Sequence, residues 1–352
     1  MTQRTFAGIL AVPLLLALAV VAAFESLPYV TYRPGLTVDV LGDNDEGEPI
    51  IAVEGKPTYE DDGQLRMTTV YVSQRDAHNT VFDLMAAWIS PSDAVYPFEA
   101  VYPEQGTVEQ DKEESHAEMT SSQDAATAAA LTELGYDVTD PVVAGVEEGA
   151  PADGELETGD VILEVGGTKV ETTDDVVDAV TGAEAGQPLE IVVRRDGERR
   201  TVSVTPLEVD GRTQIGIQLG TETDDFPVDV TIGIDPAIGG PSAGLMFSLG
   251  IYDTLTPGSL TGGEAVAGTG TVDASGNVGP IGGIQQKIVG AREDGAQLFM
   301  VPPDNCDEAM GAQNGDMRLV EAETTHSAIE SIEAWVQDHD ADLPSCEGEG
   351  DA

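Results

Sequence analysis

The stretch DPAIGGPSAGLMFSLG, Asp235 to Gly250, sets a glycine and proline turn directly against an apolar, helix-forming run, with Ser242 at the joint. A serine in that place can cap the helix by accepting an orphan backbone N–H bond. A glycine-rich turn ahead of a helix can also cradle phosphate on its free amides. A third role, nucleophile, requires a base to take the serine proton and donors to hold an oxyanion. Working outward, Gln214 to Leu219 and Val228 to Ile234 read as strands before the turn. After it come strand-like AVAGTGTV, the turn SGNVGPIGG, a helix over Ile284 to Glu293, the strand LFMVP and an amphipathic helix over His326 to Val336. Strands and helices mixed in this order make an α+β or α/β domain, with the sheet topology left open.

The rest of the chain narrows the choice for Ser242. A phosphate loop of the Walker type needs lysine followed by serine or threonine, yet Lys56, Lys112, Lys169 and Lys287 are followed by Pro57, Glu113, Val170 and Ile288. His78, His116, His326 and His339 are scattered, and none sits in a glycine-rich turn; solvated or capping roles suit them. Lys287 is the remaining candidate base. It lies in GPIGGIQQKIVGAR, where a second glycine turn leads into a helix. Ile284, Ile288 and Val289 can supply apolar surroundings that disfavour its charged form. An exposed helical lysine is the plainer alternative.

A length of 352 residues allows two folded domains, or one with additions. With 15 basic and 65 acidic residues the formal charge is −50, which repels polyanions and excludes nucleic acid as a partner. Tolerance of high salt and a solubilised surface both account for that charge. Phe6 to Phe24 is free of charge and matches the roughly 20 residues of a membrane-spanning helix. Val21-Ala22-Ala23 also has the small residues of a signal cleavage site. The reading is a single-pass anchor with the bulk of the chain extracytoplasmic, the alternative being secretion after cleavage. Outside the cytoplasm Cys306 and Cys346 can close a disulfide, or remain two thiols. Close-spaced Cys and His of the kind that bind structural zinc are missing, and no cofactor is expected.

Between the N-terminal run and the Ser242 domain, strands are expected at Pro49 to Val53 and Met67 to Ser73, and a helix over Ser121 to Leu134 ended by Gly135. Pro91 to Glu114 carries no clear period. From Pro141 to Pro206 come short strands, a Gly-Asp turn, one amphipathic helix and two closing strands. This segment resembles a PDZ domain, above all in GAPADGELETGDVILEVGG. The resemblance implies docking of an extended peptide or chain terminus beside a sheet edge. Leu134-Gly135-Tyr136 is the nearest candidate for its carboxylate-binding loop, although it follows a helix.

GPSAG with Ser242, AGTGTV with Thr269 and GPIGGIQQK with Lys287 together resemble the successive signatures of Lon-type serine proteases. The whole arrangement resembles membrane-anchored, PDZ-containing Lon-like proteases. What this implies is a transmembrane segment at 1–25, an extracytoplasmic N-terminal region at 26–134, a PDZ-like β-rich domain at 135–207, a Lon-type α+β proteolytic domain at 212–340 and a loose acidic tail at 341–352. It further implies a Ser/Lys dyad in which Ser242 attacks the peptide carbonyl, neutral Lys287 accepts its proton and Thr269 orients the lysine. Backbone amides from Gly240 through Pro241 to Ser242 are the expected part of an oxyanion hole. The implied activity is ATP-independent cleavage of protein or peptide substrates, and the implied assembly a hexameric ring. A catalytically inactive PDZ adaptor at the membrane is the competing class. One position departs from the family: many Lon proteins carry a charged residue shortly before Gly-Pro-Ser, where this chain has Gly239.

Overall fold

The computed structural model describes every residue except 1–2, 103–105, 137, 139, 148, 171, 196, 210, 223–225 and 347–352. The chain divides into two units: residues 1–126, 230–273 and 277–352 form the first, and 127–229 with 274–276 the second.

The first unit is built on one six-stranded sheet. Its strands are β1 (Tyr29–Asp39), β2 (Gln64–Val72), β3 (Ala94–Pro97), β4 (Ala265–Gly268), β5 (Leu298–Val301) and β6 (Arg318–Glu321), in spatial order β6-β5-β4-β2-β1-β3. β4 pairs parallel with β2 on one side, Ala265 opposite Gln64, and parallel with β5 on the other. β1 pairs antiparallel with both β2 and β3. A central parallel strand is covered on both faces, so it reads as an unbroken apolar run. LFMV of β5 is buried at every position, as are Val266 and Ala267 of β4. The expectation of a separate N-terminal region at 26–134 is therefore corrected: β1 to β3 complete the sheet of the Ser242 domain, and β2 is the direct neighbour of β4.

Five helices matter to this unit. α1 is Gln3–Phe24, α2 Val108–Glu133, α3 Gly244–Leu255, α4 Ile284–Glu293 and α5 Thr325–Gln337. α3 is buried almost all round, its Leu245, Met246, Phe247, Leu249 and Ile251 fully enclosed, as a helix apolar on all sides should be. α5 starts with a reciprocal capping box between Thr324 and Ser327. α2 begins far upstream of the helix expected at Ser121. Its first turn carries Glu109 and Asp111, which suit the positive end of the dipole, and Arg75 grips Asp111 through two bonds of 2.8 Å.

The spanning helix expected over Phe6 to Phe24 is not sustained: among the described residues, no helix is long and apolar enough to cross a membrane. The loose tail is corrected as well. Up to Cys346 it is tied down, with Leu343 buried, the Glu321 N–H donating to the Pro344 carbonyl and a disulfide joining Cys306 to Cys346.

The second unit is a five-strand path in the order 217–222, 140–146, 161–165, 189–195, 198–204, with one helix, Thr173–Thr181. Its core gathers Val143, Leu156, Ile162, Val176, Ile191 and Val193. The Gly159-Asp160 turn is locked by Arg195, whose guanidinium bonds both oxygens of the buried Asp160 carboxylate at 2.6 Å.

Candidate functional site

Ser242 lies in the turn just before α3, half-buried, and two backbone bonds stitch that turn to the end of β4. Gly270 N–H donates to the Ser242 carbonyl at 2.9 Å, and Leu245 N–H donates to the Gly270 carbonyl at 3.1 Å. Thr269, the first residue after β4, is fully buried and donates its hydroxyl to the Ser242 carbonyl at 2.9 Å. Lys287 comes from the first turn of α4. Its Nζ lies 2.7 Å from Ser242 Oγ and 2.9 Å from Thr269 Oγ1. The three residues singled out by chemistry thus converge on one point from a turn, a strand end and a helix.

Burial decides what that point can do. Lys287 is only 2% exposed, and desolvation lowers its pKa from 10.5 to about 7. No carboxylate is among the causes of that shift, so nothing offsets the loss of hydration. An amine neutral near pH 7, hydrogen-bonded to a serine hydroxyl, has the geometry and basicity of a general base.

The expected oxyanion donors need correction. Gly240 N–H is already committed to the Ser115 carbonyl at 2.9 Å, and Pro241 has no N–H to offer. Ser242 N–H, at the entry to α3, is the donor left from the three.

Gly239 now has a physical reason. A Cβ built there would stand 2.2 Å from Ser115 Oγ and 3.3 Å from the Ser115 carbonyl oxygen. α2 fills the space in which a side chain would sit. Beside the same turn opens a cavity of about 380 Å³, walled by Ser121, Ser122 and Ala125 of α2 together with Pro241, Thr271 and Val272.

Comparison with known proteins bears on both units. Residues 213–330 match the Lon protease (S16) C-terminal proteolytic domain, and residues 110–205 match the PDZ domain family. The chain contains a Lon-type protease domain and a PDZ domain. Lon protease 2 of Bacillus subtilis (strain 168) is 27% identical over 114 residues, 32% of this chain and 20% of that protein. Zinc metalloprotease RasP of Geobacillus kaustophilus (strain HTA426) is 36% identical over 73 residues, 20% of this chain and 17% of that protein. Among solved structures, the PDZ domain of an SdrC-like protein from Listeria monocytogenes aligns at 24% identity and TM-score 0.22, covering 24% of this chain and 88% of that one. The chain spans about a fifth of the length of the curated relatives it matches.

In the second unit Leu134-Gly135-Tyr136 borders no groove among the described cavities. That segment is the stop of α2: Gly135 takes a left-handed φ of 80°, and Tyr136 N–H returns to the Leu131 carbonyl. A groove of about 280 Å³ runs instead between the helix Thr173–Thr181 and residues 212–219, lined by Val176, Val177, Val180, Ile215, Ile217 and Leu219. The strand Ile217–Glu222 bordering it pairs only with Asp140–Val146 among the described residues, which leaves an edge for an added strand. The boundary drawn at 207 to 212 hid this. Gln214-Ile215-Gly216-Ile217, a glycine between apolar residues opening a strand, was the signal, and it packs with the second unit although the Lon-domain match begins at 213.

Proposed function

We propose that the chain is a serine endopeptidase that cleaves exposed or unfolded protein segments without ATP, using Ser242 as nucleophile and Lys287 as general base. The observation that carries this reading is the 2.7 Å contact between Ser242 Oγ and the Nζ of a buried lysine whose pKa lies at about 7. Neutral Lys287 takes the Ser242 proton as Oγ bonds to the scissile carbonyl carbon. The carbonyl oxygen becomes an oxyanion facing Ser242 N–H and the positive end of α3. As the C–N bond breaks, the lysine ammonium returns the proton to the leaving amine, and a water deprotonated by Lys287 then hydrolyses the acyl-enzyme. Thr269 takes no part in bond making; its oxygen receives an Nζ–H and so aims the lone pair at Ser242.

The PDZ groove would hold an extended tail by strand addition, feeding polypeptide to the protease domain. ATP independence rests on the missing Walker lysine motif. The Cys306–Cys346 bridge supports a location outside the cytoplasm, where such bonds persist, with the apolar run from Phe6 to Phe24 acting as a leader. Assembly into a ring is proposed from the Lon resemblance.

The test is degradation of an intrinsically unstructured protein by the purified chain, without nucleotide, alongside Ser242→Ala and Lys287→Ala. Cleavage by the parent and loss of at least about a thousandfold in both variants is expected. Equal cleavage by Ser242→Ala would refute the assignment.

A further inference from the structure

The turn carrying Ser242 is held from behind by α2, a helix distant in sequence from the signature motifs. Ser122 Oγ donates to the Pro241 carbonyl at 2.9 Å, and the Ser115 carbonyl accepts from Gly240 N–H at 2.9 Å. Seven residues apart, Ser115 and Ser122 fall on one face of the helix, two turns from each other. Ser122 is 5% exposed, so water competes little for its hydroxyl. Gly239 completes the fit by letting α2 approach with no side chain between.

One detail gives these bonds a catalytic meaning. The Pro241 carbonyl and the Ser242 N–H belong to the same peptide unit. That unit is planar and trans, so its C=O and N–H point in opposite directions. Fixing the carbonyl on Ser122 fixes the direction of the N–H on the far side. A hydrogen bond to the carbonyl also polarises the N–H that shares its plane.

We propose that Ser122 is a positioning residue that orients the Pro241–Ser242 peptide so that Ser242 N–H points at the oxyanion, with the Ser115 carbonyl anchoring the preceding peptide. This rests on the Ser242 nucleophile reading. An interaction that tightens only when the oxyanion forms should act on kcat and leave substrate binding alone. It should not alter the titration of Lys287, which Ser122 does not touch.

The experiment uses the full chain and a short peptide substrate, comparing Ser122→Ala, Ser122→Thr and Ser242→Ala. For Ser122→Ala, kcat is expected to fall about tenfold to a hundredfold, with KM and the pH midpoint of the profile unchanged. Inhibition by a peptide aldehyde, whose bound oxygen occupies the oxyanion position, should weaken in the same proportion. Ser122→Thr keeps the hydroxyl, and its added methyl has the adjoining cavity to enter, so most of the rate should return. A size exchange gives an independent check: Gly239→Ala should lower kcat by pressing on Ser115, and adding Ser115→Gly should recover it. Unchanged kcat in Ser122→Ala, or a loss confined to KM, overturns the proposal while the serine reading stands. Full activity in Ser242→Ala overturns both.

Discussion

Thr269 stands between Lys287 and Ser242 in a closed circuit. Its hydroxyl donates to the Ser242 carbonyl at 2.9 Å, its oxygen receives Nζ at 2.9 Å, and Nζ lies 2.7 Å from Ser242 Oγ. Because Thr269 spends its single proton on the carbonyl, only its lone pairs can face the lysine. Thr269→Val keeps the shape and deletes both bonds. The Ser242 carbonyl retains Gly270 N–H, so the turn should survive. Peptidase kcat is expected to drop by about tenfold or more, Thr269→Ser should retain most activity, and thermal melting should shift by only a few degrees. Wild-type kcat in Thr269→Val would show that the lysine aims itself.

The pH profile follows from the same burial. As the proposed base Lys287 can act only when neutral, and its pKa is lowered to about 7. The kcat/KM for a short peptide should therefore climb as pH rises through that value and level off above it. A profile flat between about 6 and 8 would mean that another group accepts the serine proton.

Stability should move with pH in a direction set by that lysine. Below about 7, Lys287 is charged in both folded and unfolded chains and the desolvation penalty is full. Between about 7 and 10.5 the unfolded chain keeps a proton that the folded chain has lost, so raising pH relieves the penalty. Lys287→Met removes the ionisable group while filling similar volume. It should be inactive yet more stable than the parent at neutral pH by on the order of a few kcal/mol. The difference in denaturation midpoint between the two chains should shrink as pH climbs toward 10; a constant difference would contradict the assignment of the shift to burial.

Ser242, Thr269 and Lys287 were legible in the sequence because each lies in a short glycine-marked motif whose local turn dictates a strand end or helix start. What supports them was not. Ser122 and Pro241 are 119 residues apart, and nothing local ties a serine in a polar helix to a turn it reaches only after folding. The first half of α2 escaped notice for a related reason: EQDKEESHAE buries almost nothing, so no apolar period announces a helix. The expected strand Met67 to Ser73 overlaps β2, but pairing β2 with β4 joins Gln64 to Ala265 across an intervening domain, and Ala94–Pro97 lies in a stretch with no clear period. Periodicity reports which face a strand buries and says nothing of its partner. The oxyanion expectation failed on accounting, since it counted amides without asking which were already bonded.

Reduction of the disulfide gives a test of the second half of the protease domain. Cys306 follows Asn305, whose side chain bonds both the N–H and the carbonyl of Ile281 at 2.9 Å, in the loop that leads into α4. The bridge closes across 40 residues of sequence. Cys346→Ser is expected to cost about 2–5 kcal/mol in denaturant unfolding, with peptidase activity retained well below the lowered midpoint. No loss of stability would show that Leu343 and the backbone bond to Pro344 hold the tail unaided.

The PDZ groove should be separable from chemistry. Val177 lines it and is 49% exposed, so a charge placed there has access to water and leaves the domain core alone. Val177→Glu puts a carboxylate where an apolar side chain or a chain-terminal carboxylate of a docked tail would lie, and either is disfavoured. For an unstructured protein with an apolar C-terminus, KM is expected to rise about tenfold while kcat holds. A short peptide that reaches the dyad without the groove should be cleaved at the parental rate, because the protease unit is untouched. Binding of a fluorescent apolar-tailed peptide to the Ser242→Ala chain measures the groove directly, with anisotropy lost in the Val177→Glu double variant. Equal KM and equal peptide binding in parent and variant would place substrate docking elsewhere on the molecule.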